Sequence, residues 1–337
     1  MSRFIESLWY RISPWHILLW PLSLLYGTVT MIRRASYTAG IFKIQKLPVP
    51  VIVVGNITAG GSGKTPLVIW LAEFLRNNGY QPGVISRGYG REGDETREVS
   101  AQSQATDVGD EPLLIFRRAI CPVVVGRNRV EAAQTLLEKN PQVNVIISDD
   151  GLQHYKLTRA MEICVVDGAR GFGNGMLIPA GPLRETTARL HLVDAIIVNG
   201  GEKNNVIKSN SYKSSMHLAG AQFLHLKNTQ PPATAENFTG KNIHALAGIG
   251  NPARFFAHLK SLGLQFTEHT FSDHYGFSAK DIAFENAEVI LMTEKDAVKC
   301  GSFATEQCWS LAVSAQLDHS FGELVLARMK LMKESRS

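Results

Sequence analysis

The sequence predicts an α/β fold: a larger domain built on a mostly parallel sheet, a smaller α/β domain after it, and an apolar helix ahead of both. Three observations carry this. Continuous β-branched apolar runs, such as Val51-Ile52-Val53-Val54 and Val143 to Ser148, recur along the chain, and strands apolar on both faces belong in a sheet covered on both sides. Segments of helical length separate these runs, as the crossovers of parallel strands require. A glycine-rich loop joins the first run to the first helix. At 337 residues the chain exceeds what one core holds comfortably. It is read as an N-terminal segment over 1–47, a core over 48–212 and a smaller domain over 213–337 that closes a cleft.

The elements follow in order. Pro48 to Gly55 reads as a fully buried strand and Lys64 to Asn77 as the helix after it. Gln81 to Ser86 is the next strand, Gly109 to Ala119 a helix, Pro122 to Gly126 a strand and Arg129 to Lys139 a helix. Val143 to Ser148, Met161 to Val166 and Asp194 to Asn199 complete the first series of strands. Gly200 to Ser215, rich in Asn, Lys and Ser, reads as a linker. Met216 to Lys227 alternates in part and suits a strand. Asn242 to Ile249, Pro252 to Leu262, Val289 to Thr293 and Ser310 to Val313 make the second unit. Phe321 to Lys333 is a closing helix, either of that unit or returning to the core.

Hydrophobic residues make up 45% and charged residues 19%, which suits a folded chain and excludes a disordered one. No two of the four cysteines form a C-x-x-C pair, and each sits in or beside an apolar run. They read as reduced, mostly buried thiols and not as a zinc site. The net charge of +5 is concentrated at one end. Arg3, Arg11, Arg33, Arg34, Lys43 and Lys46 face a single acid, Glu6, within residues 1–50, and the rest of the chain is neutral. A basic, apolar terminus points to anionic lipid headgroups. Nucleic acid is not expected, because no basic stripe with interleaved aromatics follows.

Trp15 to Ile32 is mostly apolar, carries Arg33-Arg34 behind it, and has Trp9, Tyr10, Trp20 and Tyr26 in or near it. Tryptophan and tyrosine favour the bilayer interface. Three placements stay open: a helix lying in the interface, a spanning helix and a buried core helix. Pro21 and the polar interruptions His16, Ser23, Gly27, Thr28 and Thr30 favour the first. No A-x-A-like site follows, which argues against a cleaved signal peptide.

The strongest chemical signal is Thr58-Ala59-Gly60-Gly61-Ser62-Gly63-Lys64-Thr65 between a strand and a helix. It fits the P-loop form G-x-x-x-x-G-K-[ST] except at its first position, where Thr58 stands for glycine. Glycines let backbone N–H groups turn toward phosphate oxygens, and the helix start adds its positive dipole end. Lys64 is placed to reach the β- and γ-phosphates, and the Thr65 hydroxyl to ligate Mg²⁺. The larger domain is therefore expected to be a P-loop NTPase. The rival reading, a βα turn with a chance Lys-Thr, does not account for the strand–loop–helix context.

Val143 to Ser148 ends in Asp149-Asp150-Gly151, where the metal-binding acid of such folds stands. Adjacent residues on an extended backbone point to opposite faces, so one of the two aspartates is expected at the metal. A turn-forming Asp-Asp-Gly is the plainer alternative. In Gly109-Asp110-Glu111-Pro112, Asp110 either caps the following helix or activates an attacking hydroxyl. His274, in the loop Ser272-Asp273-His274-Tyr275, is either a surface histidine or a proton relay. Arg87, Arg127, Arg129 and Arg184 lie at or near strand ends, where ligand crevices form and arginine clamps phosphate. Each has an ordinary reading as an ion-pair partner.

Together these segments, with Gly55 to Pro66, Ser86-Arg87-Gly88-Tyr89-Gly90, Asp149 to His154, Gly181 to Glu185, Gly248 to Pro252, Asp273-His274-Tyr275 and Thr293 to Lys299, resemble the lipid A 4'-kinase family over nearly the whole chain. Even Thr58 fits that family's loop. The resemblance implies ATP-dependent phosphorylation of the 4'-hydroxyl of a tetraacylated disaccharide 1-phosphate, giving lipid IV-A. It implies Asp110 with His274 as the pair that deprotonates the hydroxyl. Asp149 and Asp150 are implied at the metal with Gln153 close by, and Arg129 and Arg184 at substrate or phosphoryl group. For Thr293 to Lys299 it suggests nucleotide contact or interdomain closure. The partners expected are ATP, Mg²⁺, the lipid A disaccharide precursor and the cytoplasmic face of the bacterial inner membrane, met peripherally or as a monotopic protein. No protein partner is predicted. The alternative carried beside it is a membrane-associated ATPase or GTPase switch without a sugar acceptor. No Asn-Lys-x-Asp guanine signature occurs, which favours ATP.

Overall fold

A computed structural model describes residues 9–10, 14–201, 207 and 209–334. Arg3, Glu6 and Arg11 of the basic terminus, and 202–206 and 208 of the linker, lie outside the described residues.

The first helix whose bounds are described is α1 (Trp15–Thr38). Strand β1 (Val51–Gly55) and helix α2 (Lys64–Asn77) follow, then β2 (Pro82–Ser86) and the short β3 (Arg97–Glu98) and α3 (Ala105–Val108). Next come α4 (Asp110–Ala119), β4 (Val123–Val125), α5 (Arg129–Lys139), β5 (Val145–Asp149), β6 (Met161–Asp167) and β7 (Ala195–Asn199). The second part holds β8 (Tyr212–His225), β9 (Ile243–Ala247), α6 (Pro252–Ser261), β10 (Thr267–Thr270), β11 (Val289–Thr293), α7 (Glu294–Cys300), β12 (Cys308–Leu317) and α8 (His319–Glu334).

Among the described residues, twelve strands join one sheet, in the order β10-β9-β11-β12-β8-β7-β6-β1-β5-β2-β4-β3. Every pair is parallel except β3–β4 and β8–β12. The long strand β8 pairs with β7 at its start and with β12 thereafter, so it carries the sheet from one half of the chain into the other. The linker expected at Gly200 to Ser215 thus runs into β8, whose first four residues are Tyr212 to Ser215.

Burial explains the strand sequences. In β1, Ile52 and Val54 enter one core cluster and Val51 and Val53 the other, on opposite faces. A strand that must be apolar on both sides reads as an unbroken apolar run. The same alternation divides β11: Val289 and Leu291 enter one cluster, Ile290 and Met292 another. Helix α8 returns to the first part of the chain. Its Phe321 is fully buried and lies 5.5 Å from the Trp70 ring of α2. Gly322 lets the two helices meet, since a Cβ there would come within 2.7 Å of the Phe74 ring.

The register of the central strands sets up the site. β1 lies between β5 and β6, with Val54 beside both Asp149 and Ile163. From β1 the chain runs to β2 on one side, whereas from β5 it crosses to β6 and on to β7 on the other, and crevices form at the carboxyl ends of strands at such switch points.

Helix α1 is not a core helix. Ile17, Leu18, Leu22, Leu25, Val29 and Met31 are more than half exposed. Only a narrow strip is docked. Ser23 Oγ donates to Leu177 O at 2.9 Å and accepts from Ala180 N at 3.0 Å. Gly27 leaves room for the Leu177 side chain, which a Cβ would meet at 2.7 Å. Among the described residues, no helix is long and apolar enough to cross a membrane.

Candidate active site

The glycine-rich loop leaves β1 and is braced on two sides. Its outer arm pairs with the segment before Arg184: Thr58 bridges Leu183 antiparallel, and Ala59 N donates to Pro182 O at 2.7 Å. That pairing needs extended backbone, which accounts for threonine where the P-loop form has glycine. Inside the loop, Asn56 Nδ2 donates to Gly60 O and Ser62 Oγ, both at 3.3 Å. From β7, Asn199 Nδ2 donates to Ser62 O at 3.0 Å. Gly63 has φ 92° at the start of α2, and a Cβ there would sit 2.2 Å from the Asn199 amide nitrogen. Glycine is required there for both reasons.

Lys64 is buried, with Nζ 3.6 Å from Asp150 Oδ1. Arg184 Nη1 donates to both oxygens of Asp150, at 3.1 and 3.0 Å. Burial opposes ionisation of Asp150, but Lys64 and Arg184 outweigh it and hold the carboxyl well below the usual range. Asp150 is not on extended backbone as expected. Its φ of 48° puts it in a left-handed turn at the end of β5, so the simple two-face argument fails for this pair.

Asp149 stays in the strand and is buried. Its Oδ2 accepts from Ser86 Oγ at 2.9 Å, while Oδ1 has no hydrogen-bond partner. Burial first, then the nearby Glu111 and Asp150 carboxylates, push it up to about 7. A buried carboxylate oxygen left open, beside a second carboxylate, fits a hard cation. Among the described residues no three His, Cys, Asp or Glu side chains gather to hold a metal alone. Mg²⁺ takes one or two carboxylates and completes its shell with water and phosphate.

Arg129, expected at substrate or phosphate, is buried and turned onto backbone. It donates to Gly126 O at 2.8 Å and Asp149 O at 3.0 Å. Burial brings its guanidinium down to about 10. It braces the turn that carries the two aspartates. Gln153 donates to Asn56 O at 3.0 Å and Glu185 Oε1 at 2.7 Å, tying the glycine-rich loop to the segment of Arg184. Arg87 lines the open cleft.

Asp110 and His274, 164 positions apart, meet. His274 Nδ1 lies 3.1 Å from Asp110 Oδ2. Asp110 does not cap α4. It is the first helical residue, behind Gly109 at the cap position, and is only 5% exposed. Burial works against its charge, but the hydrogen bond with His274 and the charge of Lys295 prevail and hold it below its ordinary value.

Two cavities meet at the glycine-rich loop. One, of about 710 Å³, reaches from Arg33 of α1 past Arg87, Asp150 and Arg184 to His274. The other, of about 480 Å³, lies across the loop and is walled by Ile69, Leu218, Phe255, Leu311 and Val313, with Arg254 at its polar side.

Sequence reasoning quoted Glu111, Glu185 and Lys295 only within motifs, with no individual role, and did not mark Asn199. Thr293 did carry a readable signal. Its hydroxyl accepts from Asp296 N at 3.1 Å and opens α7, an N-cap written in T-E-K-D. No helix was expected there.

Known proteins resemble this chain over nearly its whole length. A family model described as tetraacyldisaccharide-1-P 4'-kinase matches residues 15–330. A tetraacyldisaccharide 4'-kinase of Methylobacillus flagellatus is 46% identical over 333 residues, covering 99% of this chain and 98% of the relative. One from Shewanella halifaxensis is 48% identical, covering 98% of each. A crystal structure of LpxK from Aquifex aeolicus in complex with ATP is similar at a TM-score of 0.79 and 30% identity, over 93% of this chain and 99% of that one. The loop, the acid-ended strand and the Asp–His pair thus stand in a chain that belongs to the tetraacyldisaccharide-1-phosphate 4'-kinase family.

Proposed function

We propose that this chain transfers the γ-phosphoryl group of ATP to the 4'-hydroxyl of a tetraacyldisaccharide 1-phosphate, forming lipid IV-A and ADP in lipid A biosynthesis. The observation that carries the reading is the meeting of Asp110 and His274 at 3.1 Å beside a glycine-rich loop, in a chain of this family.

The loop amides from Thr58 to Thr65 receive the triphosphate, and Lys64 reaches its β- and γ-phosphates. The base and ribose are assigned to the 480 Å³ cavity beside α2. Arg184 and Arg87 line the 710 Å³ cleft in which the sugar and its phosphate approach. Asp110 and His274 take the proton as the 4'-oxygen attacks. Thr65, Asp149 and Asp150 would hold Mg²⁺, which supplies neutralisation of phosphate charge when bound. Closure of the second part of the chain over the loop excludes water, so that ATP meets the sugar hydroxyl.

The test is transfer of labelled γ-phosphate from ATP to purified tetraacyldisaccharide 1-phosphate in detergent micelles. Labelled lipid is expected. ATP hydrolysis without labelled lipid would instead fit the nucleotide switch. That alternative is not favoured, since a switch has no use for a base aimed at a sugar hydroxyl and the relatives are kinases.

An acylated acceptor stays in a bilayer, and α1 supplies a surface to meet it. Its exposed apolar face continues through Ile41, Phe42 and Ile44, with Arg33, Arg34, Lys43 and Lys46 among them. This reading places the protein at the cytoplasmic face of the inner membrane, with α1 lying in the interface. Replacing Leu18, Leu22 and Leu25 together by serine removes roughly 1 kcal/mol of insertion each, so partition onto anionic vesicles is expected to fall about 100-fold. Vesicle co-sedimentation reads this, and unchanged partition would remove α1 from the membrane contact.

A further inference from the structure

The segment Thr293 to Lys299 contributes to the site in a way the reading above leaves unused. Lys295, on α7, comes to the Asp110–His274 pair from the second part of the chain. Its side chain is 17% exposed and its Nζ lies 3.3 Å from His274 Nε2. Around it stand Glu111 at 3.0 Å, Asp273 at 3.5 Å and Asp110 at 3.9 Å. Tyr89 meets the His274 ring edge-on at 4.9 Å. The neighbours of Lys295 hold it in place. Thr293 caps α7, Glu294 pairs with Arg118 of α4, and Asp296 Oδ2 accepts from Gly248 N at 3.0 Å. Burial opposes the Lys295 charge, but Glu111, Asp110 and Asp273 keep the amine protonated well above its ordinary range.

An ammonium has three donors and no acceptor. At 3.3 Å it therefore leaves His274 Nε2 one role, that of acceptor. The single proton of the neutral ring must then sit on Nδ1, where it donates to Asp110 Oδ2. A second proton on Nε2 would face the ammonium, like charge against like. We propose that Lys295 is the positioning residue of the Asp110–His274 pair, fixing the ring as the Nδ1–H form and keeping the Nε2 lone pair ready for the acceptor hydroxyl. This rests on the reading of the pair as the proton acceptor.

The step balances. The 4'-hydroxyl takes the place of the ammonium at Nε2, and Glu111 retains Lys295. The O–H proton passes to Nε2 as the oxygen's electron pair forms the new bond to the γ-phosphorus. The bond from that phosphorus to the β–γ bridging oxygen breaks, and ADP leaves with the electron pair. Asp110 stabilises the imidazolium through Nδ1–H, the arrangement used by Asp–His pairs in hydrolases.

The deciding experiment is ¹⁵N spectroscopy of the imidazole of His274 in the ligand-free enzyme, assigned by comparison with His274→Gln. The expected signature is a protonated Nδ1 and a lone-pair Nε2. A protonated Nε2 in the wild type overturns the proposal, whatever any variant does. Lys295→Met is expected to shift the ring toward a mixture of forms. Its kcat for lipid phosphorylation should fall about 10- to 100-fold, a share of what a positioned base contributes, with KM values nearly unchanged. In a His274→Ala background the same substitution should cost less than about threefold, because Lys295 acts through the ring. An equal loss in both backgrounds would make Lys295 a structural residue only and overturn the proposal. A wild type that fails to label lipid would sink the kinase reading instead, while the ring's protonation would still be read.

Discussion

Asp110→Ala and His274→Ala are each expected to lower lipid phosphorylation by about 10²–10⁴-fold in kcat, the range a positioned general base contributes. ATP affinity should hold, because neither side chain touches the glycine-rich loop. The double variant should be no slower than the slower single one, since groups acting as a unit give non-additive losses. The expectation follows from burial and distance. Asp110 is 5% exposed and 3.1 Å from the ring, so each residue's position depends on the other. Lys295 keeps Glu111 and Asp273 as partners in Asp110→Ala, which limits the damage to the fold. Single-turnover transfer of labelled phosphate checks this, with thermal unfolding and ATP binding measured beside it. Full turnover in either variant would remove the pair from the chemistry.

Lys64→Ala is expected to lower kcat/KM for ATP by about 10²–10³-fold, the cost of losing one preorganised charge at a site where transition-state charge develops. Two losses add. The phosphates lose a buried ammonium, and Asp150 loses one of its ion-pair partners while keeping Arg184. Lys64→Arg should not restore activity. The pocket is closed around a side chain 8% exposed, and a planar guanidinium does not fit where a compact ammonium did. Steady-state kinetics with ATP titration, and ATP binding by calorimetry, separate the loss of affinity from the loss of turnover. Retention of wild-type kcat/KM in Lys64→Ala would show that the loop does not hold the reacting phosphates.

The long elements were readable in the sequence. Lys64–Asn77, Arg129–Lys139 and Val289–Thr293 have the ends that periodicity and turn residues indicate. The short ones were not. Arg97–Glu98 and Ala105–Val108 hold too few residues to display a period. Helix α7 was missed for a similar reason, although its capping threonine was legible. Among the candidate site residues, Lys64, Asp150 and Arg184 do converge at hydrogen-bonding or ion-pair distance. Arg129 spends its guanidinium on carbonyls of the chain, which only the packing of α5 against β2 and β4 could decide.

By itself the sequence determined what each segment can satisfy locally. Runs of β-branched residues fixed buried strands, glycines and the Lys-Thr pair fixed a loop that turns its amides inward, and the charges of the first fifty residues fixed a basic, apolar terminus. The family's ordered motifs added the expected chemistry. Only the tertiary structure decided which distant groups meet. Asp110 finds His274 across 164 positions, and Lys295 reaches Glu111 across 184. It also decided that α8 packs back on α2, and that Asp150 leaves its strand in a left-handed turn. Local patterns encode hydrogen bonding and burial that one segment can meet alone. Convergence of side chains depends on strand order, register and helix packing, which no single segment specifies.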